Sequence, residues 1–314
     1  MGAPKSPRKG SLQYWPRKRA AKFLPRVNWN NKINSSKKLQ GFICYKVGMT
    51  SCHVKDKTPN SMTKDKKIAI PVTIISCPPM KIFSVRFYKN KLVMSEVLNE
   101  NLDKELKRKI KMPKVKNKKI EEMKNYDDIR IIAYSQVKKI GLKKTPDLSE
   151  IALSGDLDEK INFIKTHLNK EFSVSEVFEK GQLVDIHGLT KGKGLQGPVK
   201  RFGITFKQHK SEKGRRNPGS LGPWHPTRTT FRVPMAGQLG MFSRVLLNNK
   251  IIEIGKGSEK PIMNVKNFGD VKNDYLLIYG SVQGVPKRQI LLSSASRLSK
   301  KQTKKDFEFI ELLR

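Results

Sequence analysis

The amino-acid sequence predicts a mainly β protein: a β-barrel or closely packed β domain carrying an α+β insertion, a long N-terminal arm and a long central finger. Three observations lead there. Strand-like runs lie on both sides of a helix-containing middle. A stretch of about 55 residues between the runs near 190 and 249 is too rich in Gly and Pro for regular structure, and loops of that length are functional or disordered. Positive charge gathers in the first 55 residues and in 186–252 rather than spreading along the chain.

The elements follow in chain order. Residues 1–40 form a basic arm in which Pro7, Pro16 and Pro25 argue against regular structure, while Tyr14, Trp15, Phe23 and Trp29 are interleaved with cations. Such an arm orders on a partner, with rings to stack and cations for phosphate. The first part of the β body (41–90) reads from "GFICYKVGMT", from "IAIPVTIIS", whose Pro71 implies an edge strand or a bulge, and from "KIFSVRFY" with Phe83, Val85 and Phe87 at period two. The insertion (91–175) predicts a helix over 95–112, a strand at 128–135 and a second helix over 156–170 with Ile161, Ile164 and Leu168 on one face. A short helix begins at Ser173, where Glu176 completes a capping box. The second part of the body (176–300) holds strands at 182–190, 249–255, 273–280 and 288–293 and includes the finger, 198–240; a tail, 301–314, follows.

Length and charge bound the function. The chain has 314 residues, 65 Lys+Arg against 27 Asp+Glu, a net charge of +38, and 37% hydrophobic residues, enough for a core. Residues 1–55 hold 13 cations and no acid; residues 186–252 hold 13 more and the single acid Glu212. A polyanion relieves such a field, and nucleic acid is the commonest one. No run approaches the roughly 18–20 apolar residues of a membrane span, and no apolar segment follows the basic N-terminus as a secretory signal requires. Cys44, Cys52 and Cys77 lack C-x-x-C spacing, which fits a reduced, intracellular compartment.

Enzyme chemistry is not legible. "GLTKGKGLQG" (188–197) resembles a phosphate loop, but three residues separate Gly188 from Gly192, and Leu195 stands where a metal-binding hydroxyl is needed. Its glycines instead allow close backbone approach to a polyanion, with Lys191 and Lys193 alongside. The five histidines lack metal-ligand spacing, and Asp185 and His187 have no nucleophile in an elbow motif. The sequence implies no catalytic residue, no metal and no cofactor.

Binding chemistry is legible. In the arm the candidates are Lys5, Arg8, Lys9, Trp15 and Arg17, then Lys18, Arg19, Lys22 and Arg26. Along the finger Lys200, Arg201, Lys207, His209, Lys210 and Lys213 lead to Arg215 and Arg216; Arg228, Arg232 and Arg244 follow the tip. Guanidinium groups grip phosphate bidentately and stack on bases. Trp224, between Pro223 and His225-Pro226, sits on a stiff backbone from which it can stack on a base; alternatively it packs with Phe231 and Met235 as a local mini-core.

"FEKGQLVDIHGLTKGKGLQGPVKR" (178–201) resembles the signature of the universal large-subunit ribosomal protein three family, with Phe178, Asp185, Gly188, Thr190, Gly192, Lys193, Gly194, Gly197 and Arg201 in register. "LGPWHP" and "MAGQLGMFSR" resemble that family's tryptophan finger and its returning strand; "CYKVGMT" and "PVTIISCPPM" extend the likeness N-terminally. "ENLDKELKRKI" and "GQLVD" resemble its archaeal and eukaryotic branch. Phe202 stands where tryptophan is common, and Gln238 matches a glutamine that is methylated in some bacterial relatives. The resemblance implies a translation-protein-type β-barrel and an early-assembling structural protein of the cytoplasmic large subunit. Its partners would be large-subunit rRNA and neighbouring ribosomal proteins, with no membrane and no small-molecule substrate. It also implies that arm and finger run toward the peptidyl-transferase centre, with Gln238 among the rRNA contacts. An RNA-modifying enzyme and another basic nucleic-acid-binding protein, such as a chromatin-type DNA binder, are the alternatives.

Overall fold

The computed structural model describes residues 7–30, 38–112 and 120–313; Lys5 lies outside them. Strands β1 (Gly41–Asp56), β2 (Lys67–Ser76), β3 (Met80–Lys89), β4 (Leu92–Leu98), β5 (Asp128–Ser135) and β6 (Leu148–Ala152) precede helix α1 (Leu157–His167). Then come β7 (Leu183–Leu189), β8 (Leu195–Gln196), helix α2 (Pro198–Phe202), β9 (Gly237–Gln238) and β10 (Ser243–Gly255). The chain closes with β11 (Ile262–Val265), β12 (Gly269–Val271), β13 (Tyr275–Tyr279), β14 (Gln289–Ser294), α3 (Lys300–Lys304) and β15 (Phe307–Leu313). Two compact units result. A body comprises Phe23–Gly188 with Arg244–Arg314, and a basic unit comprises Met1–Lys22 with Leu189–Ser243.

The body is built on a seven-stranded sheet in the order β14-β7-β10-β13-β2-β1-β15, in which β14 also pairs with β1. A four-stranded sheet runs β4-β3-β5-β6, so β3 joins the strands of the middle segment rather than those before it. The largest apolar cluster takes Phe42, Tyr45, Ile75 and Leu292 from the first sheet and Ile82, Phe87, Ile131 and Ile151 from the second, with Ile164 of α1. Trp29, read from sequence as an arm residue for stacking, belongs to this core. Its ring is 6% exposed, and Nε1–H donates to the Glu150 carbonyl at 2.8 Å. Gly41 makes the room: a Cβ there would sit 2.8 Å from the Trp29 ring.

Most sequence-read strands and α1 form where expected, and the capping box closes on a single 3-10 turn at Val174–Glu176. The helix read over 95–112 does not form. Leu92–Leu98 pairs with β3 instead, and only a 3-10 turn, Lys104–Arg108, follows. Asn99 decides the break: its side-chain N–H donates to the Ile82 and Leu168 carbonyls, and its Oδ1 accepts the Asn101 N–H, bonds that compete with helix. Pro71 lies in an interior strand, yet the β13 ladder ends opposite Val72, so its missing donor falls just past that partner.

Candidate nucleic-acid interface

The basic unit is short of regular structure and rich in backbone turns. Its fixed points are the two-residue ribbon of β8 with β9, the single turn of α2, and a few long-range backbone bonds. Lys193 N–H donates to Leu239 O at 2.9 Å and Leu239 N–H returns to Gly194 O at 2.8 Å; Thr190 N–H donates to Phe242 O, and Ala20 N–H to Met241 O. Gly240 permits this crossing, because it holds φ +76° and a Cβ there would fall 1.9 Å from the Lys191 carbonyl oxygen. Of the glycines read from sequence as a polyanion approach, Gly192 also serves this meeting of segments, since a Cβ there would lie 3.0 Å from the Met241 side chain.

Arg201 is the hub of the unit. Its Nε donates to Gln238 O (3.0 Å), Nη1 to Met235 O (3.0 Å) and Nη2 to Arg17 O (3.1 Å). Arg17 answers by donating Nη1 to Arg201 O at 2.7 Å, with its guanidinium 4.1 Å from the Phe202 ring centre. Trp15 stacks on Phe202 at 6.0 Å and meets Phe231 edge-on at 5.6 Å. Burial pulls the Arg201 pKa down, but a guanidinium stays protonated at neutral pH. Of the sequence-read binding residues, Trp15, Arg17 and Arg201 thus tie the arm to the root of the finger. Phe202, 6% exposed, is the ring they close on. Gln238 uses its amide N–H groups locally, on Leu239 O and Gly240 O.

The other candidates face outward. Arg8, Lys18, Arg19 and Lys22 are exposed, as is Arg26 in the body; Lys9 is half-buried. Lys191, Lys193 and Lys200 surround the glycine loop and are exposed. Along the finger His209, Lys210 and Lys213 are exposed and Lys207 half-buried; Arg215 and Arg216 lie 5.9 and 5.1 Å from the Phe206 ring centre. Residues 221–232 are all exposed, His225, Arg228 and Arg232 among them, and Trp224 reaches 84%. A mini-core around Trp224 is not present: Phe231 turns to Trp15 and remains 61% exposed, and Met235 is 42% exposed. Arg244, the second residue of the return strand β10, belongs to the body and is half-buried.

The Asp185–His187 neighbourhood is structural. One Asp185 oxygen accepts the Asn248 N–H at 2.8 Å and the other the Ser296 N–H and hydroxyl, both at 2.9 Å. His187 Nε2 lies 3.1 Å from Ser293 Oγ, and burial pulls its pKa down. Among the described residues no group of three or more His, Cys, Asp or Glu is placed to hold a metal.

The basic unit contains 18 Lys and Arg residues, seven in its arm and eleven in 189–243, against the one acid Glu212. The acids gather instead in the body, where Glu150 accepts from Arg86 at 3.1 Å and Arg130 at 3.2 Å, and Asp128 from Lys160 at 2.6 Å. A β body carrying a cation-dense, acid-poor unit defines a class of protein that binds polyanions. The chain belongs to the ribosomal protein L3 family, whose model matches residues 1–312. It is 39% identical over 308 residues to the large ribosomal subunit protein uL3 of Methanocaldococcus jannaschii, covering 93% of this chain and 91% of that one. Identity to the uL3 of Archaeoglobus fulgidus is 39% over 307 residues (93% and 92% of the two chains), and to that of Methanosphaera stadtmanae 38% over 315 (94% and 93%). All three relatives are archaeal, in keeping with the branch resemblance read from the sequence.

Proposed function

We propose that the protein is a structural, non-catalytic component of the cytoplasmic large ribosomal subunit that binds its rRNA and neighbouring ribosomal proteins and joins early in assembly. The observation that carries this is a unit with 18 cations, one acid and an 84%-exposed tryptophan, in a chain of the ribosomal protein L3 family. Its exposed arginines and Trp224 suit irregular RNA, where phosphates and unstacked bases are both within reach. Within this reading the outward cations of arm, glycine loop and finger, with His209 and His225, contact rRNA. Lys5 and Gln238 are further proposed contacts, and Trp15, Arg17 and Arg201 hold the others in place. The finger approaches the peptidyl-transferase centre. No helix among the described residues is long and apolar enough to cross a membrane.

The body is read as a translation-protein-type barrel. The support is the cyclic pairing order β1-β2-β13-β10-β7-β14, which returns to β1. The insertion then starts at β3 and runs to about residue 175, and the C-terminal segment adds β15 outside β1. Crosslinking with sequencing on native ribosomes tests the functional reading. Nucleotides joined to residues 205–235 should cluster near the peptidyl-transferase centre; crosslinks confined to the subunit surface would refute it.

A further inference from the structure

The turn after β4 sorts its charges by sign. Leu106 is fully buried against Phe83, Ile132 and Tyr134 on the outer face of the four-stranded sheet, which fixes the 3-10 turn Lys104–Arg108 there. Asp103, Glu105 and Asp147 are engaged by the protein itself. Asp103 accepts from Tyr134 Oη at 2.8 Å and lies 3.4 Å from Lys81 Nζ, and Glu105 pairs with Lys138 at 2.7 Å. Asp147, its side chain 4% exposed, accepts the Tyr45 hydroxyl at 2.5 Å and is approached by both Lys143 and Lys109. Two lysines converging on one buried carboxylate join the segment 104–111 to the segment 138–144 as one face. Lys104, Lys107, Arg108, Lys111 and Lys144 belong to these two segments, exposed and without an acidic partner among the described residues.

We infer that this face is a second RNA-binding surface, which docks the phosphate backbone of duplex RNA without reading bases. The inference rests on the protein being an RNA binder but uses a surface that the arm and finger do not. Its chemistry differs from theirs. The finger offers arginines with exposed rings, whereas this face offers lysines, a single arginine, and no aromatic in 104–111 or 138–144. Lysine is a point charge that neutralises phosphate without stacking or fork geometry. Regular A-form RNA is bound through its shape and backbone, which calls for that kind of charge. A protein partner would call for an aromatic-rich interface centre, and a membrane for exposed apolar anchors.

The test uses the full chain and a blunt RNA duplex of roughly 20 base pairs. Replacing Lys104, Lys107, Arg108, Lys111 and Lys144 with Gln should make the slope of log K against log[KCl] shallower by about 3–5, at roughly 0.9 per phosphate contact. Restoring the charge with Arg at all five positions should restore the slope. In the unsubstituted protein the duplex should slow acylation of Lys104, Lys107, Lys111 and Lys144 several-fold, a readout that needs no variant to fold. Unchanged slope and unchanged labelling, with a finger variant at Arg215, Arg216, Arg228 and Arg232 still flattening the slope, would overturn this inference and leave the proposed function standing. If neither variant alters the slope, both fail. Protection by phosphatidylserine vesicles but not by the duplex would give the face to a membrane and overturn the inference too.

Discussion

Asp56 shows how far one side chain can fix a turn. It is 4% exposed, and its carboxylate accepts the Thr58 N–H at 2.9 Å, the Ser61 hydroxyl at 2.9 Å and the Thr63 hydroxyl at 2.6 Å. Burial alone would push the carboxyl up; the bonds from Thr58, Thr63 and Ser61 outweigh it and hold the pKa at about 2. The native pKa lies below the unfolded one, so the stabilisation is full above about pH 4 and is lost as pH falls through about 2. Asp56→Asn should therefore cost about 1–2 kcal/mol at neutral pH, with the difference vanishing near pH 2 in chemical melts. Trp224→Ala should shift the melt by no more than about 0.5 kcal/mol, because an 84%-exposed ring has little packing to lose. A larger shift would return the ring to a mini-core. The type and position of Arg201 were legible in the sequence, but not its direction. An arginine aimed at three carbonyls has the same letter as one aimed at phosphate.

At the scale of elements, apolar runs located β1, β2, β5, β13 and β14, a period-two pattern located β3 and an amphipathic one α1, since each buries one face or both against a partner. The pattern failed at 95–112, where helix-forming charged residues outnumber the strand formers and the deciding bonds run from Asn99 to residues far along the chain. β15 was missed for a related reason: its register is set by Ser51–Asp56 of β1, some 250 residues earlier. Two elements can be loosened selectively. Leu106→Ala should cost about 2–4 kcal/mol, by the cavity it leaves under the 3-10 turn, measured by urea melts. Arg201→Lys removes the planar fork that reaches Gln238, Met235 and Arg17 together. Amide exchange at Lys193 and Leu239 should then quicken at least about tenfold, while β1 and β5 amides keep their protection.

For the molecule as a whole, the charge sum named the class of partner before any element was placed, because a field of +38 acts at long range whatever the fold. What the sum could not say is which cations are free to act. That depends on pairings such as Lys143 and Lys109 with Asp147, which only the folded chain brings together. The same long-range pairing sets a timetable. β1 lies between β2 and β15 and also holds β14, so the strand that emerges early in synthesis is bordered by the last two to emerge. At roughly 5–20 residues per second, the interval between them is on the order of 10–50 s. Throughout that wait the first strand offers an open edge on a chain already dense with cations, inside a cell filled with RNA. The seven-stranded sheet is thus the last part of the body to be finished, although one of its inner strands is the first to be made.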